Sequence, residues 1–263
     1  NYDNNQLTVG LNEKAYDANS GNGDLEVGDF ALSITNGVAT IGSATPTSIS
    51  RIGDHQYVLG FSLSGTPNGS EQLAVVPIAN SIFDINGTAS STSQSNNTVN
   101  LFEKVLPTIS STALAADNST ITATFSEAVF KSRSASGTGF AGNGDLEVSD
   151  FVLSMSGGVA TLGSATPTSI SKSSNAYTLG INYIGLPNGS EVITVIPAQD
   201  AIYDNTGNIA STTQSNNTKT FNSEKIRIAK SLEFETGYAQ FLSLLKRDAD
   251  TYIAAFMYNS NDR

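Results

Sequence analysis

The sequence contains no cysteine and no tryptophan, and its one histidine is His55. Without cysteine no disulfide can form, so stability has to come from a hydrophobic core or from bound metal. A zinc site of the Cys/His type is excluded for the same reason. A Ser-His-Asp site would have to use His55, and its neighbours Gly53 and Asp54 predict a turn. We therefore expect no catalytic residue and no enzyme activity.

Charge is also scarce, and most of it has one sign. Only 14% of the residues are charged, and the net charge is −11. Such a surface repels nucleic acid and anionic membranes, but it suits divalent cations. No apolar run reaches the length of a transmembrane helix, so we expect no membrane insertion.

The most informative feature that is present is an internal repeat. Repeats of about 120 residues have the size of whole small domains, which indicates a modular array rather than one compact enzyme. The matched segments are Gly21–Val27 with Gly142–Val148, Gly42–Ser50 with Gly163–Ser171, Pro67–Glu71 with Pro187–Glu191, and Gln94–Thr98 with Gln214–Thr218. We divide the chain into module 1 (residues 1–104), module 2 (105–222) and a C-terminal segment (223–263).

Apolar residues alternate within both modules, as in half-buried β-strands. Thr120–Phe125 is the clearest case. Further predicted strands of module 2 are Asp150–Met155, Val159–Leu162, Tyr177–Tyr183, Glu191–Ile196 and Thr218–Phe221. Short strands separated by Gly/Asn turns predict an all-β fold, with each module an immunoglobulin-like β-sandwich.

The repeats differ in two places. Pro107–Leu114 introduces the second repeat and has no counterpart in the first, so module 1 lacks its first strand. We therefore expect the chain to be a section of a longer protein. Ser132–Gly139 is an insertion found only in module 2, and its Ser/Gly-rich composition predicts a surface loop.

Several motifs of module 2 resemble those of bacterial Ig-like, cadherin-like repeats of large surface and adhesin-type proteins. They are Thr124–Val129 (TFSEAV), Asp150-Phe151, Pro187–Ser190 (PNGS) and Tyr203–Asn208 (YDNTGN), and the resemblance covers residues 3–221. It implies an extracellular or cell-surface protein, with neighbouring repeats as partners. Module 1 departs from it at Gly10–Ala15, where Glu13 alone is kept.

Acidic residues recur at strand ends that a sandwich would bring to one pole. Carboxylates gathered in this way suit Ca²⁺, and related modules often hold calcium near their junctions. The candidate metal ligands are Glu13, Asp24, Asp29 and Asp84 in module 1, and Glu127, Asp145, Asp150 and Asp204 in module 2, with Glu26 and Glu147 nearby. Ordinary turn formation by Asp and Glu is the alternative.

The linker Leu101–Pro107 carries one acid beside one base, which is poor for a cation site between modules. A hydrophobic junction made by Phe102, Val105 and Leu106 therefore competes with calcium as the element that joins the modules.

The C-terminal segment has a different composition from the modules. Lys225–Ala229 alternates like a strand, and Gln240–Leu245 with Thr251–Tyr258 predicts a hairpin joined by Lys246–Asp250. The pattern is similar to the opening of a β-propeller blade, which indicates the start of a further domain. Its strands could instead pack on module 2, and a spare strand from a neighbour could complete module 1.

Three functions remain. The chain could be a structural spacer of a large bacterial surface or secreted protein, a module that binds carbohydrate or another surface ligand, or the accessory stalk of a secreted enzyme. A binding module needs an exposed aromatic platform in one repeat only, for which Phe140 and Tyr183 are the candidates.

Overall fold

The computed structural model describes residues 1–223 and the backbone of residues 239–246 and 252–258. The chain divides into two compact units, Asn1–Glu224 and Lys225–Arg263. Apart from two 3₁₀ turns, Val27–Asp29 and Val148–Asp150, all the regular structure described is β-strand, which confirms the all-β class.

The strands of module 1 are β1 (Gln6–Gly10), β2 (Phe30–Thr35), β3 (Thr40–Ile41), β4 (Ser48–Arg51), β5 (Gln56–Gly60), β6 (Leu63–Ser64), β7 (Gln72–Pro77) and β8 (Thr98–Asn100). They form three open antiparallel sheets, in the orders β1-β5-β4, β2-β7-β8 and β3-β6.

The strands of module 2 are β9 (Ile109–Leu114), β10 (Thr120–Phe125), β11 (Val129–Phe130), β12 (Ser132–Ser136), β13 (Gly139–Asn143), β14 (Phe151–Ser156), β15 (Thr161–Leu162), β16 (Ile170–Ser173), β17 (Ala176–Gly180), β18 (Tyr183–Ile184), β19 (Val192–Pro197), β20 (Tyr203–Asp204) and β21 (Thr218–Thr220). The sheets β9-β10-β17-β16, β14-β19-β21 and β15-β18 match those of module 1, except that β9 is added at the edge of β10.

Alternation along the strands produces a separate hydrophobic core in each module. Ile193 and Val195 of β19 are fully buried, and their neighbours along the strand are half-buried. One core is built from residues between Ala15 and Leu101, and the other from residues between Ile109 and Phe221. In the second core Phe125, Phe151 and Tyr177 lie with ring centroids 5.9–6.3 Å apart, within the range of favourable aromatic contacts.

The insertion of module 2 is more ordered than the surface loop that its composition predicts. Strands β12 and β13 pair antiparallel from Ser132–Asn143 to Ser136–Gly139 and form a hairpin. The predicted surface position is confirmed, since residues 133–138 are exposed. The absence of regular structure was wrong, because a Ser/Gly-rich segment carries little apolar alternation and the contacts that favour the hairpin come from elsewhere in the chain.

In the C-terminal unit, β22 (Ala239–Lys246) pairs antiparallel with β23 (Tyr252–Tyr258), which confirms the predicted hairpin. The predicted strand Lys225–Ala229 and most of the connection Lys246–Asp250 lie outside the described residues.

Candidate functional site: the junction between the modules

The linker leaves module 1 along a fixed path. Leu101 is buried in the first core, and its N–H donates to the carbonyl of Glu71 at 3.0 Å. The side chain of Asn4 then holds Phe102 at both backbone groups, accepting from its N–H at 3.0 Å and donating to its carbonyl at 2.7 Å. The direction of the linker is therefore set by the turn that precedes β1.

An aromatic cluster joins this linker to the hairpin of module 2. The ring of Tyr2 lies 5.4 Å from that of Phe102 and meets the ring of Phe140 edge-on at 4.9 Å. Gly139 allows the close approach, because a Cβ there would lie 2.7 Å from the Phe102 ring. On Tyr2 the ammonium of Lys104 lies 2.9 Å from the ring centroid, a cation–π contact.

Arg133 ties the same hairpin to the Tyr203–Asn208 turn of module 2. Its guanidinium lies 4.3 Å from the centroid of Phe140 and donates to the carbonyl of Gly207 at 2.6 Å. The hairpin is thus fixed on its own module while Phe140 reaches Tyr2 of module 1.

These junction residues differ between the repeats. Tyr2 aligns with Ala116, and Phe102 and Glu103 align with Asn222 and Ser223. The hairpin that carries Arg133 and Phe140 occurs in module 2 only. The contacts between the modules are therefore made by what is not repeated, whereas the repeated residues build the modules themselves.

A polar cluster lies beside the aromatic one. The carboxylate of Glu103 accepts from the hydroxyl of Thr206 at 2.6 Å and from the amide of Asn208 at 2.7 Å. The same amide donates to Asp204 at 2.8 Å, and the Tyr2 hydroxyl donates to the Asn208 side-chain oxygen at 3.3 Å. Linker, module 1 and module 2 thus meet at Asn208.

Three carboxyl groups share this region, and the pKa values of two of them, Glu127 and Glu103, are raised. Burial raises the pKa of Glu127 to about 7, and the charges of Asp204 and Glu103 add to the effect. Burial also raises the pKa of Glu103, against the hydrogen bond from Thr206, and the charge of Asp204 raises it further. Glu127 and Glu103 therefore hold a proton, or a cation in its place, more readily than an ordinary glutamate does.

Glu127 and Asp204 are thus two of the predicted site residues that the fold brings together. Asp204 is fully buried, and one of its oxygens accepts from the N–H groups of Thr206 and Asn208, both at 2.8 Å. This is the turn-forming role that was the alternative to metal binding.

The other predicted residues of module 2 are engaged elsewhere. Asp145 forms an ion pair with Lys172 at 3.2 Å, and Glu147 forms one with Lys131 at 2.6 Å. Asp150 accepts from the N–H of Glu147 at 2.7 Å and so caps a 3₁₀ turn.

The candidates in module 1 follow the same pattern. Asp29 accepts from the N–H of Glu26 at 2.6 Å, and Asp84 accepts from two N–H groups of its own turn. Asp24 lies 3.9 Å from Arg51, and Glu13 is exposed. Among residues 1–223, no three His, Asp or Glu side chains lie in an arrangement that could hold a metal ion by themselves.

Sequence reasoning did not place Glu103 at a site, because the linker carries one acid beside one base. The signal available was that Glu103 lies where the second repeat has Ser223. Phe102 does belong to the junction as predicted, whereas Val105 and Leu106 are exposed.

A second missed pair is Glu71 and Glu191, the last residues of the repeated Pro-Asn-Gly-Ser-Glu motif. Both are fully buried. The Glu191 carboxylate accepts from the N–H groups of Val159 at 2.8 Å and Ala160 at 3.0 Å, and also from those of Asn188 and Gly189. Burial alone would raise the pKa of Glu191, but these backbone donors outweigh it and lower the pKa to about 2. The motif therefore fixes two loops around one buried charge.

The two aromatic candidates for a ligand platform both make contacts within the protein. Phe140 packs on Tyr2, and Tyr183 meets Phe221 edge-on at 5.3 Å. No helix in the described part of the chain has the length and apolar character needed to cross a bilayer.

Comparisons with known proteins give no match to a family model, to a curated protein or to a solved structure.

Proposed function

We propose that this chain is a non-catalytic spacer region of a large bacterial cell-surface or secreted adhesin-like protein, in which Ig-like modules are held at a fixed relative orientation. The extracellular location and the partnership with neighbouring repeats of the same protein belong to this proposal. One observation carries it: the side chains that contact each other across the junction, among them Tyr2, Glu103, Phe140 and Asn208, have no identical counterpart in the other repeat.

A spacer needs junctions that hold its modules in place. A chain of modules transmits position only if each junction resists bending, and domains joined by small polar interfaces move freely by default. Here the junction combines an edge-on aromatic pair, a cation–π contact and a hydrogen-bonded network that reaches from Tyr2 to Asp204. Such contacts have geometric requirements, so they favour one orientation.

The Ig-like sandwich and the kinship with cadherin-like repeats are part of the same proposal. They are supported by the order β9-β10-β17-β16 in one sheet of module 2 and β14-β19-β21 in the other, with the core residues of module 2 drawn from both. Strands of two antiparallel sheets that share one core are typical of sandwiches.

A glycan-array screen of the full chain separates the spacer from a binding module for carbohydrate. The proposal predicts no glycan bound above background, because Phe140 and Tyr183 are already packed against other aromatic rings. A reproducible hit that is confirmed by titration would contradict it and favour the binding module.

The proposed calcium site is at the junction, and it does not use all eight of the ligands predicted from the sequence. Asp24, Asp29, Asp84, Asp145 and Asp150 are engaged with basic side chains or backbone N–H groups. The charges of Asp204 and Glu103 act on Glu127, and none of these three residues has an ion pair to Lys or Arg among residues 1–223. The three carboxyl groups are not arranged to hold a metal ion as they stand. Calcium would therefore have to draw them together with the side-chain oxygens of Thr206 and Asn208, which are the hard oxygen ligands that it prefers.

A thermal melt at pH 7.5 tests the calcium proposal. An ion that binds only the folded protein stabilises it, by about 2.7 kcal/mol at 100 times its Kd. We expect the melting temperature to be higher in millimolar calcium than in EDTA, and we expect Glu127→Gln to reduce this difference. Exposed Glu13→Gln serves as the matched control and should keep it. A wild-type melting temperature that is the same in calcium and in EDTA would contradict calcium binding.

A further inference from the structure

Asn36 lies in a turn that module 2 builds with glycine at the same position. The pair Asn36-Gly37 follows β2, and its counterpart after β14 is Gly157-Gly158. Asn36 has a φ of 64°, and Gly157 has a φ of 74°. Residues with a Cβ rarely adopt this left-handed conformation, although asparagine tolerates it better than most. Module 1 therefore carries an asparagine at a position where the backbone favours glycine.

An asparagine that is followed by glycine can react with its own backbone. The nitrogen of the following residue attacks the side-chain amide carbon, and glycine hinders this attack least because it has no side chain. The chain contains six such pairs, which begin at Asn22, Asn36, Asn68, Asn86, Asn143 and Asn188. The reaction is fastest where the fold leaves the side-chain amide and the glycine nitrogen free to meet.

Two of these pairs are held in place by the buried glutamates of the Pro-Asn-Gly-Ser-Glu motif. In module 2 the N–H of Gly189 donates to Glu191 at 3.0 Å, and the side-chain oxygen of Asn188 accepts from the N–H of Ser190 at 2.9 Å. Asn68 and the glycine after it make the same two bonds in module 1. Both reacting groups are thus engaged in each pair.

Three more pairs are restrained by other contacts. The N–H of Gly87, which follows Asn86, donates to the carbonyl of Asp84 at 3.1 Å. The side-chain oxygen of Asn22 accepts from a serine hydroxyl two residues earlier, at 3.0 Å. Asn143 is the last residue of β13 and is paired with β12. Each of these contacts has to break before the asparagine and its glycine can rearrange.

Asn36 has no restraint of this kind. Neither its side chain nor the N–H of Gly37 makes a hydrogen bond to another residue in the range 1–223, and both residues are exposed. The turn can therefore rearrange without the loss of a hydrogen bond at either reacting group.

The same turn encloses the buried carboxylate of Glu71. A Cβ on Gly37 would lie 2.3 Å from the carboxyl carbon of Glu71. The next two residues, Val38 and Ala39, donate their N–H groups to this carboxylate at 2.8 and 3.0 Å. A change in the backbone between residues 36 and 37 would therefore displace two of the donors that hold the buried charge.

We propose that Asn36 is a site of spontaneous deamidation, and that its conversion loosens the loop that holds Glu71. The nitrogen of Gly37 forms a bond to Cγ of Asn36, the bond from Cγ to Nδ2 breaks, and Nδ2 leaves as ammonia with the proton of the Gly37 N–H. The succinimide that results takes up one water molecule. Opening at the side-chain carbonyl gives aspartate. Opening at the backbone carbonyl gives isoaspartate, in which the chain continues through Cγ.

Both products disturb the surroundings of Glu71. Aspartate adds a negative charge to a turn that encloses a buried carboxylate, and like charges at short range repel. Isoaspartate adds one CH₂ group to the backbone just before the donors Val38 and Ala39. The turn of module 2 cannot react in this way, because Gly157 has no side-chain amide.

The first test follows the full chain during incubation at mildly alkaline pH, and mass spectrometry of its peptides locates each conversion. We expect Asn36 to convert at least about ten times faster than Asn68 or Asn188, the factor that corresponds to breaking one charge-assisted hydrogen bond. Conversion of Asn36 at the same rate as these two residues, or more slowly, would overturn the site.

The second test measures amide exchange during the same incubation. As Asn36 converts, we expect exchange at Val38 and Ala39 to become at least about tenfold faster, as for the loss of a charge-assisted hydrogen bond. Exchange at the matching Val159 and Ala160 should not change. Asn36→Gly is the matched control, because it copies the turn of module 2 and removes the reacting amide. Unchanged exchange in the converted chain, or equal acceleration in Asn36→Gly, would overturn the effect on Glu71.

Discussion

At the scale of single residues, the repeated glutamates of the Pro-Asn-Gly-Ser-Glu motif are among the most constrained groups in the modules. Gly158 has a φ of 61°, and a Cβ there would lie 2.2 Å from the Glu191 carboxyl carbon. The same crowding occurs between Gly37 and Glu71. Glycine is required because the backbone turns tightly around the buried carboxylate so that its N–H groups can reach the oxygens.

Replacing Glu191 with glutamine removes the charge from these bonds and leaves an amide N–H₂ facing backbone donors. We expect the free energy of unfolding to fall by about 2 kcal/mol or more, as for a lost buried charge-assisted hydrogen bond. Urea denaturation at pH 7 measures it. Glu26→Gln, at an exposed turn position, is the control and should change stability much less. An equal effect of the two substitutions would contradict the role assigned to Glu191.

The pH dependence of this contribution has a definite sign. The folded pKa of Glu191 is lowered to about 2 from an ordinary value of 4.5. The folded state therefore binds this proton less readily than the unfolded state does. The stabilisation is present above pH 4.5 and is lost as the pH falls from 4.5 towards 2, so the difference in stability between wild type and Glu191→Gln should narrow over that window.

At the scale of elements, the hairpin of β12 and β13 joins the two modules. It reaches the linker through Gly139 and Phe140 and is anchored to its own module by Arg133. Because this hairpin is present in only one repeat and contacts the other, we attribute it to the joining of the two modules. Module 1 has no such hairpin between β1 and β2.

Phe140→Ala should loosen this connection without unfolding either module. Loss of an edge-on aromatic pair costs about 1 kcal/mol, which corresponds to an equilibrium change of roughly fivefold. We expect the amide of Phe102, which donates to Asn4, to exchange about five times faster. Core amides such as those of Leu153 and Val195 should be unaffected. Exposed Ile184→Ala is the control, and an equal change at Phe102 in both variants would contradict the hairpin's role.

Periodicity in the sequence was sufficient to predict the strands in which buried apolar residues alternate clearly with more exposed ones. Thr120–Phe125 and the run that begins at Glu191 correspond to β10 and β19. Strands β12, β13 and β16 lack that alternation, because they lie at edges where little apolar surface is buried. The junction was harder still. Tyr2, Phe102 and Phe140 are far apart in sequence, and only the fold reveals that they meet.

The roles of the acidic residues could also be predicted from the sequence only where their partners lie nearby in the chain. Local spacing correctly suggests turn chemistry for Asp29, Asp84 and Asp150, whose partners lie within four residues. It cannot reveal that burial at the junction and the nearby charge of Asp204 raise the pKa values of Glu103 and Glu127, because this depends on how one module meets the next.

At the scale of the whole molecule, the repeated and the unrepeated residues have separate roles. The repeated parts are strand cores, the buried glutamates and turn-forming carboxylates, which together stabilise each module. The unrepeated residues of the junction set how one module meets the next. This division is what a spacer requires, because the same module can recur while each junction is adjusted separately.

Residual dipolar couplings of backbone amides in the full chain test this account most directly. Alignment tensors are fitted separately to the strands of module 1 and to those of module 2. If the junction fixes the modules, both sets fit one tensor of the same magnitude and orientation, and Phe140→Ala makes the two diverge. Tensors of clearly different magnitude in the wild-type chain would show independent reorientation and contradict the rigid junction.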